Sequence, residues 1–202
     1  VEWVVVVPVK ELPVAKTRLS ADPAERVALA LAMATDVVSA ALACADGVVV
    51  VTNDASAAAA LGAVGARVVA DVSDAGLNPA LADGARHARG WWPRHGVAAL
   101  AGDLPCVTPV VLGVALEAAA AHERAVVPDA RGDGTTLLTA RAGVDLDPRY
   151  GTHSRHAHVL AGAMELEADP RLRRDVDTPD DLADAVRLGV GPATRGVLDS
   201  PR

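Results

Sequence analysis

The sequence predicts an α/β fold: a mostly parallel sheet with helices on both faces and an antiparallel excursion in the last third. Two observations carry this. Short apolar runs alternate with longer helical stretches through the first two-thirds of the chain, the signature of successive strand–helix–strand units. After residue 127 the rhythm changes to turn-rich segments around one further strand. The chain has 202 residues, and 51% of them are apolar, enough for the core of one domain. That domain is placed at residues 1–190, and the Gly/Pro-rich stretch 191–202 reads as a loose C-terminal tail.

Each element has a local reason. Val4 to Val9 is a continuous apolar run, suited to a strand buried on both faces. Asp22-Pro23-Ala24-Glu25 starts a helix, with Asp22 as cap and Pro23 at the first position, running to about Cys44. Val48 to Thr52 is the next strand, followed by an Ala-rich helix from Ala55 to Leu61 and a short strand from Arg67 to Ala70. Leu77 to Arg89 reads as helix, with Asn78 as cap before Pro79. Val97 to Ala101 is a strand, Thr108-Pro109 opens a helix to Ala121, and Ala125 to Val127 is a short strand. Gly132-Asp133-Gly134 turns the chain into a strand from Thr135 to Ala140. Residues Ala142 to Thr152 read as irregular. Helices are expected over His153 to Ala163 and Thr178 to Leu188, the latter with Pro179 first and two acids in its first turn.

Composition narrows the function. There is no Phe and one Tyr, so the core must be built from small and β-branched aliphatics. A net charge of −7 argues against nonspecific nucleic-acid binding but not against a small anionic ligand met by a local basic cluster. Cys44 and Cys106 cannot form a disulfide framework or, alone, a tetrahedral zinc site, and read as small buried hydrophobes in a reducing cytoplasm. With no signal peptide and no uninterrupted apolar run of spanning length, the expectation is a cytoplasmic protein that does not engage membranes. Oligomeric state is left open.

Three constellations bear on chemistry. The loop after the first strand, Lys10 to Arg18, holds Lys10, Lys16 and Arg18 within nine residues. Open parallel sheets bind ligands beyond the carboxyl ends of their strands, where such cations would neutralise a polyphosphate. A charge run alone is more often solvated surface. Asp103 follows an apolar strand, while Asp175 and Asp177 sit two apart in an extended segment, so their side chains share a face. Acids in these places suit a divalent metal on a phosphorylated ligand, although Asp103 could be a turn residue and Asp177 a helix cap. Thr135 and Thr136, with Gly151 and Ser154 at a helix start, offer a phosphate cradle or ordinary turn chemistry. Together these imply an enzyme moving a nucleotidyl group. No Gly-x-x-x-x-Gly-Lys-Ser/Thr loop and no Gly-x-Gly-x-x-Gly occurs, which disfavours P-loop hydrolases and dinucleotide dehydrogenases. His153, His156 and His158 do not share one helical face, and surface or anion contacts are expected of them. Trp91-Trp92-Pro93 reads as packing at a helix end.

The strings Pro8-Val9-Lys10 through Ala15-Lys16-Thr17-Arg18-Leu19, Gly76-Leu77-Asn78-Pro79-Ala80-Leu81, Gly102-Asp103-Leu104-Pro105, Gly134-Thr135-Thr136-Leu137-Leu138, Tyr150-Gly151-Thr152-His153-Ser154 with His158, and Asp175-Val176-Asp177-Thr178-Pro179 resemble the 2-phospho-L-lactate guanylyltransferase family. Its actinobacterial members are better described as phosphoenolpyruvate guanylyltransferases, acting early in assembly of coenzyme F420. The resemblance runs from Trp3 to Leu188. It implies a single-domain, Rossmann-like nucleotidyltransferase fold similar to the molybdopterin guanylyltransferases. It further implies GTP and a three-carbon phosphoacid as partners, with the triphosphate near Lys10, Lys16 and Arg18 and the guanosine near Asn78. Mg2+ would be held by Asp103, Asp175 and Asp177, and the acceptor phosphate would lie against Thr135, Thr136, Gly151 and Ser154. Tyr150 stands where a Phe is usual, and Pro79 is a departure beside Asn78. Two readings compete: nucleotidyl transfer to another acceptor, such as a molybdopterin or sugar phosphate, and a non-catalytic GTP-binding module.

Overall fold

The computed structural model describes residues 2–16, 18–20, 22–71 and 75–200. Seven strands form one sheet in the order β3-β2-β1-β4-β6-β5-β7. These are β1 (Trp3–Pro8), β2 (Gly47–Val51), β3 (Arg67–Val69), β4 (Gly96–Leu100), β5 (Arg124–Pro128), β6 (Thr135–Ala140) and β7 (Met164–Glu165). All pairings are parallel except the two made by β6, which runs antiparallel to β4 and β5. The predicted excursion is therefore this one reversed strand.

The helices are α1 (Pro23–Leu42), α2 (Ala55–Val64), α3 (Leu77–Trp91), α4 (Pro109–Ala119), α5 (Ser154–Leu160), α6 (Pro170–Arg173), α7 (Pro179–Leu188) and α8 (Pro192–Leu198). A 3-10 turn covers Leu12–Val14. Asp22 caps α1 as its sequence implies, its side chain accepting from the Ala24 N–H. The cap of α3 is Gly76, not Asn78: Gly76 adopts φ of +101°, which favours glycine, and Asn78 lies within the first turn.

The alternation of β1 divides the core. Trp3, Val5 and Val7 join α1 and α4 on one face. Val4 and Val6 join α3 residues Ala80, Leu81, Ala85 and Ala88 on the other. Gly84 lets α3 lie directly on the sheet, since a Cβ there would stand 2.6 Å from methyl groups of both Val6 and Val51. With almost no aromatic rings to fill space, close approach of backbones replaces side-chain bulk. Trp91 and Trp92 do pack at the end of α3, and the Arg67 guanidinium stacks on both, 4.8 and 5.0 Å from their ring centres.

The expected loose tail is corrected for residues 192–198, which form a docked helix. The buried Asp36 carboxylate of α1 accepts from the N–H groups of Ala193 and Thr194, both at 2.9 Å, and Thr194 is fully buried. Composition marks this stretch as Gly/Pro-rich, but a buried acid 157 residues away in sequence supplies the cap. The last two residues lie outside the described residues.

Candidate active site

Strand order reverses between β1 and β4, since β2 and β3 lie to one side of β1 and the later strands to the other. The carboxyl ends of strands diverge at such a switch point and open a crevice. A cleft of about 530 Å³ occupies it. Its walls come from the loop after β1, the loop after β4, the turn between β5 and β6, the start of α5 and the segment before α7. Because β6 is reversed, its first residues, Thr135 and Thr136, stand at the same edge as the end of β4, with Ala101 N–H donating to the Thr136 carbonyl at 2.9 Å.

The acids meet there. Asp103, Asp175 and Asp177 all line the cleft. The segment 174–178 alternates as the sequence implies, with Val176 fully buried between the two acids. The Val176 N–H donates to the Asp103 carbonyl at 3.1 Å, tying the two acidic segments together across the fold. Asp177 does not cap α7: Thr178 does, in a reciprocal box with Asp181. The Asp177 carboxylate is thereby left for the cleft.

The cation between these acids is Lys16. Its ammonium pairs with Asp103 and lies 2.8 Å from Asp177. Burial by itself would depress this ammonium, but the Asp103 and Asp177 carboxylates outweigh it and hold the group above its ordinary value. Lys16 reaches them from a left-handed backbone, φ +54°, a conformation that costs a non-glycine residue about 1 kcal/mol or more. Arg18 lies 3.0 Å from Asp177 and remains largely exposed. Burial raises Asp177, yet Lys16 and Arg18 together bring its carboxyl below the usual range. Lys10 lines the same cleft, is exposed, and makes no ion pair among the described residues.

Asp175 behaves oppositely. Burial, then the charges of Asp103, Asp129 and Asp177, push its carboxyl up to about 6. Asp129 is the acid that sequence reasoning missed. It follows β5 as Asp103 follows β4, is buried, and lines the cleft. The same strand-end argument could have found it. Gly134 is held against it, a Cβ there falling 2.6 Å from Asp129 Oδ2. Among the described residues no three His, Cys, Asp or Glu side chains are already arranged as a metal shell, and Lys16 stands between Asp103 and Asp177.

Thr135, Thr136, Gly151 and Ser154 all line the opposite wall. Ser154 Oγ lies 3.2 Å from Thr135 Oγ1, and His158 Nδ1 lies 3.0 Å from that same oxygen. The surface role expected of the histidines is corrected for His158, which is buried beneath Thr135, while His153 and His156 are exposed. Helical spacing separates the three histidines, and only the fold shows that His158 is the one turned inward onto Thr135. Asn78 is drawn into the wall rather than the cavity. Tyr150 N–H donates to its Oδ1 at 2.6 Å and its Nδ2 donates to the Tyr150 carbonyl at 2.9 Å. Its carboxamide thus positions the Tyr150-Gly151 edge, and Leu77 and Leu81 line the cleft in its place.

The arrangement places a cationic arm, four carboxylates and a hydroxyl wall around one space whose volume falls in the ordinary range of small-molecule sites. The chain is 54% identical to a phosphoenolpyruvate guanylyltransferase of Thermomonospora curvata over 95% of its length and 86% of the relative's. It is 52% identical to another of Streptomyces coelicolor, covering 97% of this chain and 95% of that one. A nucleotidyl transferase structure from Methanothermobacter thermautotrophicus superposes with a TM-score of 0.66 at 23% identity, over 93% of this chain and 97% of that one, a likeness of fold. The family model described as guanylyl transferase CofC like matches residues 3–200, and with relatives above half identity the chain belongs to that family.

Proposed function

We propose that the protein transfers the guanylyl group of GTP to the phosphate of phosphoenolpyruvate and releases pyrophosphate, an early step toward coenzyme F420. The observation that carries this reading is the convergence of Lys10, Lys16 and Arg18, the aspartates and the Thr135–Ser154 wall on one cleft. The identity of more than half to phosphoenolpyruvate guanylyltransferases supports the choice of acceptor.

A phosphate oxygen of the acceptor attacks the α-phosphorus of GTP. The new P–O bond forms as the bond from the α-phosphorus to the oxygen leading to the β-phosphate breaks, and that electron pair leaves with pyrophosphate. A phosphate monoester loses its second proton near pH ~6, so the nucleophile needs no general base. The obstacle is bringing anions together. Lys10, Lys16 and Arg18 face the triphosphate and stabilise the departing pyrophosphate. Thr135, Thr136, Gly151 and Ser154 hold the acceptor phosphate. The guanosine lies on the side of Asn78, against Leu77 and Leu81.

Asp103, Asp175 and Asp177 hold Mg2+ in this reading. The donor set fits: all ligands are hard carboxylate oxygens, and Asp175, raised first by burial and then by the charges of Asp103, Asp129 and Asp177, is a group that a bound cation would favour in its ionised form. When bound, such an ion neutralises phosphate charge and orients the reacting groups. Asp129 adds to the negative field behind them.

The test is incubation with GTP, magnesium and, separately, phosphoenolpyruvate, 2-phospho-L-lactate or a sugar phosphate, followed by mass analysis and pyrophosphate assay. Guanylylated phosphoenolpyruvate with equimolar pyrophosphate is expected. Pyrophosphate release with only a different acceptor would reassign the substrate, and GTP binding without release would make the chain a non-catalytic module. Asp103→Asn should stay folded and lose turnover, and substantial retained activity would remove Asp103 from the metal site.

A further inference from the structure

His158 is buried within hydrogen-bonding distance of two partners, one at each ring nitrogen. The Arg149 backbone N–H donates to Nε2 at 2.8 Å. A backbone N–H can only donate, so Nε2 carries no hydrogen, and the ring's single proton sits on Nδ1. Nδ1 is 3.0 Å from Thr135 Oγ1 and therefore donates to it. This tautomer follows from the network, as it must without visible hydrogens.

The consequence falls on Thr135. With the other tautomer, Thr135 would spend its own hydrogen on the imidazole and show only lone pairs to the cleft. Those would repel a phosphate oxygen. With Nδ1 and the Ser154 hydroxyl both donating, Thr135 Oγ1 is filled as an acceptor, and its own O–H is released for use elsewhere. Ser154 Oγ lies 3.2 Å away, so the two hydroxyls can share one hydrogen and still turn another outward.

We infer that His158 is a positioning residue: held at Nε2 by the Arg149 N–H, it donates from Nδ1 to Thr135 and so makes the Thr135–Ser154 pair hydrogen-bond donors to an anionic oxygen of the acceptor. This rests on the reading above that those hydroxyls meet the acceptor's phosphate. The ring has little freedom to do otherwise. The Tyr150 ring meets it edge-on at 5.1 Å, and Asn78 fixes the Tyr150 backbone next to Arg149. Burial lowers the imidazole's pKa to about 4, Asp147 opposing this and Arg149 adding to it, so the ring stays neutral through the working range.

Two near-isosteres separate the ring's two ends. In His158→Asn the carboxamide reaches the Nδ1 position and can still donate to Thr135. In His158→Gln it reaches the Nε2 position, can still accept from Arg149, and leaves Thr135 without its donor. Initial rates are measured with GTP and phosphoenolpyruvate varied separately. His158→Gln should raise the KM for phosphoenolpyruvate about 10- to 100-fold, the worth of a hydrogen bond to a charged group, with the KM for GTP moved less than about 3-fold. His158→Asn should stay within about 3-fold of wild type on both. In a Thr135→Val background His158→Gln should have no further effect. The 15N spectrum of the wild-type imidazoles, with His158 identified by its loss in the variant, should show the Nδ1-protonated neutral form at pH 7.

Equal impairment by Asn and Gln, or an undiminished effect of Gln in Thr135→Val, would overturn the inference. So would an Nε2-protonated or cationic ring. If a His158 variant does not fold, the wild-type spectrum and Thr135→Val alone decide, since an unchanged phosphoenolpyruvate KM in Thr135→Val means no donor is used. Failure of the underlying functional reading looks different: wild type would then make no guanylylated phosphoenolpyruvate at all, whatever its imidazole tautomer.

Discussion

Asp175→Asn should make the metal-free protein more stable while ending turnover. The carboxyl sits among Asp103, Asp129 and Asp177 and is pushed from 3.8 up to about 6, first by burial and then by those charges. Each tenfold change in proton affinity is worth about 1.4 kcal/mol, so a fully shielded group would cost about 3 kcal/mol when ionised. Asp175 is only partly buried, and solvent screening brings this to about 1–2 kcal/mol. The sign follows from linkage. Below about pH 4 the carboxyl is protonated in both folded and unfolded chains and costs nothing. Between about 4 and 6 the folded protein holds the proton more tightly, so stability falls as pH rises. Above about 6 the cost is complete. The uncharged Asn escapes it.

Chemical denaturation in the presence of a chelator measures the difference directly. The variant and wild type should coincide near pH 4, and the variant should be about 1–2 kcal/mol more stable at pH 8, which in a thermal melt corresponds to about 2–4 °C per kcal/mol. Added magnesium should stabilise wild type and narrow the gap. A variant less stable than wild type at pH 8, or a gap equal at pH 4 and pH 8, would refute the reasoning that burial and the neighbouring carboxylates disfavour an ionised Asp175.

Lys16→Met removes the ammonium between Asp103 and Asp177 and should lower metal-free stability by about 1–3 kcal/mol, with magnesium restoring most of it in a thermal melt. Its KM for GTP should rise, and an unchanged value would detach Lys16 from the triphosphate. Gly84→Ala drives a methyl into Val6 and Val51 and should cost about 1–3 kcal/mol in urea unfolding, without altering the KM ratio of the two substrates. Asp36→Ala removes two hydrogen bonds to the start of α8 and should cost about 1–2 kcal/mol, releasing residues 192–198 to rapid amide exchange. Continued protection there would show that packing alone holds the helix.

Much of the fold was legible because its signals are local. The apolar runs of β1, β2 and β4 report burial on both faces, and Pro at first helical positions marks α1, α4 and α7. The two acids of the segment 174–178 share a face because extended chain alternates, which needs no knowledge of neighbours. The helix at 192–198 was missed because its cap lies on α1 and not beside it.

By itself the sequence determined the strand–helix rhythm, the reversed strand's position and the residue types able to grip phosphate, since period and capping act over a few residues. Tertiary structure decided who faces whom. It brought Asp129 beside Asp175, set Lys16 between two carboxylates, turned Asn78 into the wall, and buried His158 beneath Thr135. Those outcomes depend on electrostatics and hydrogen bonding between segments up to 161 residues apart, and no local pattern encodes them.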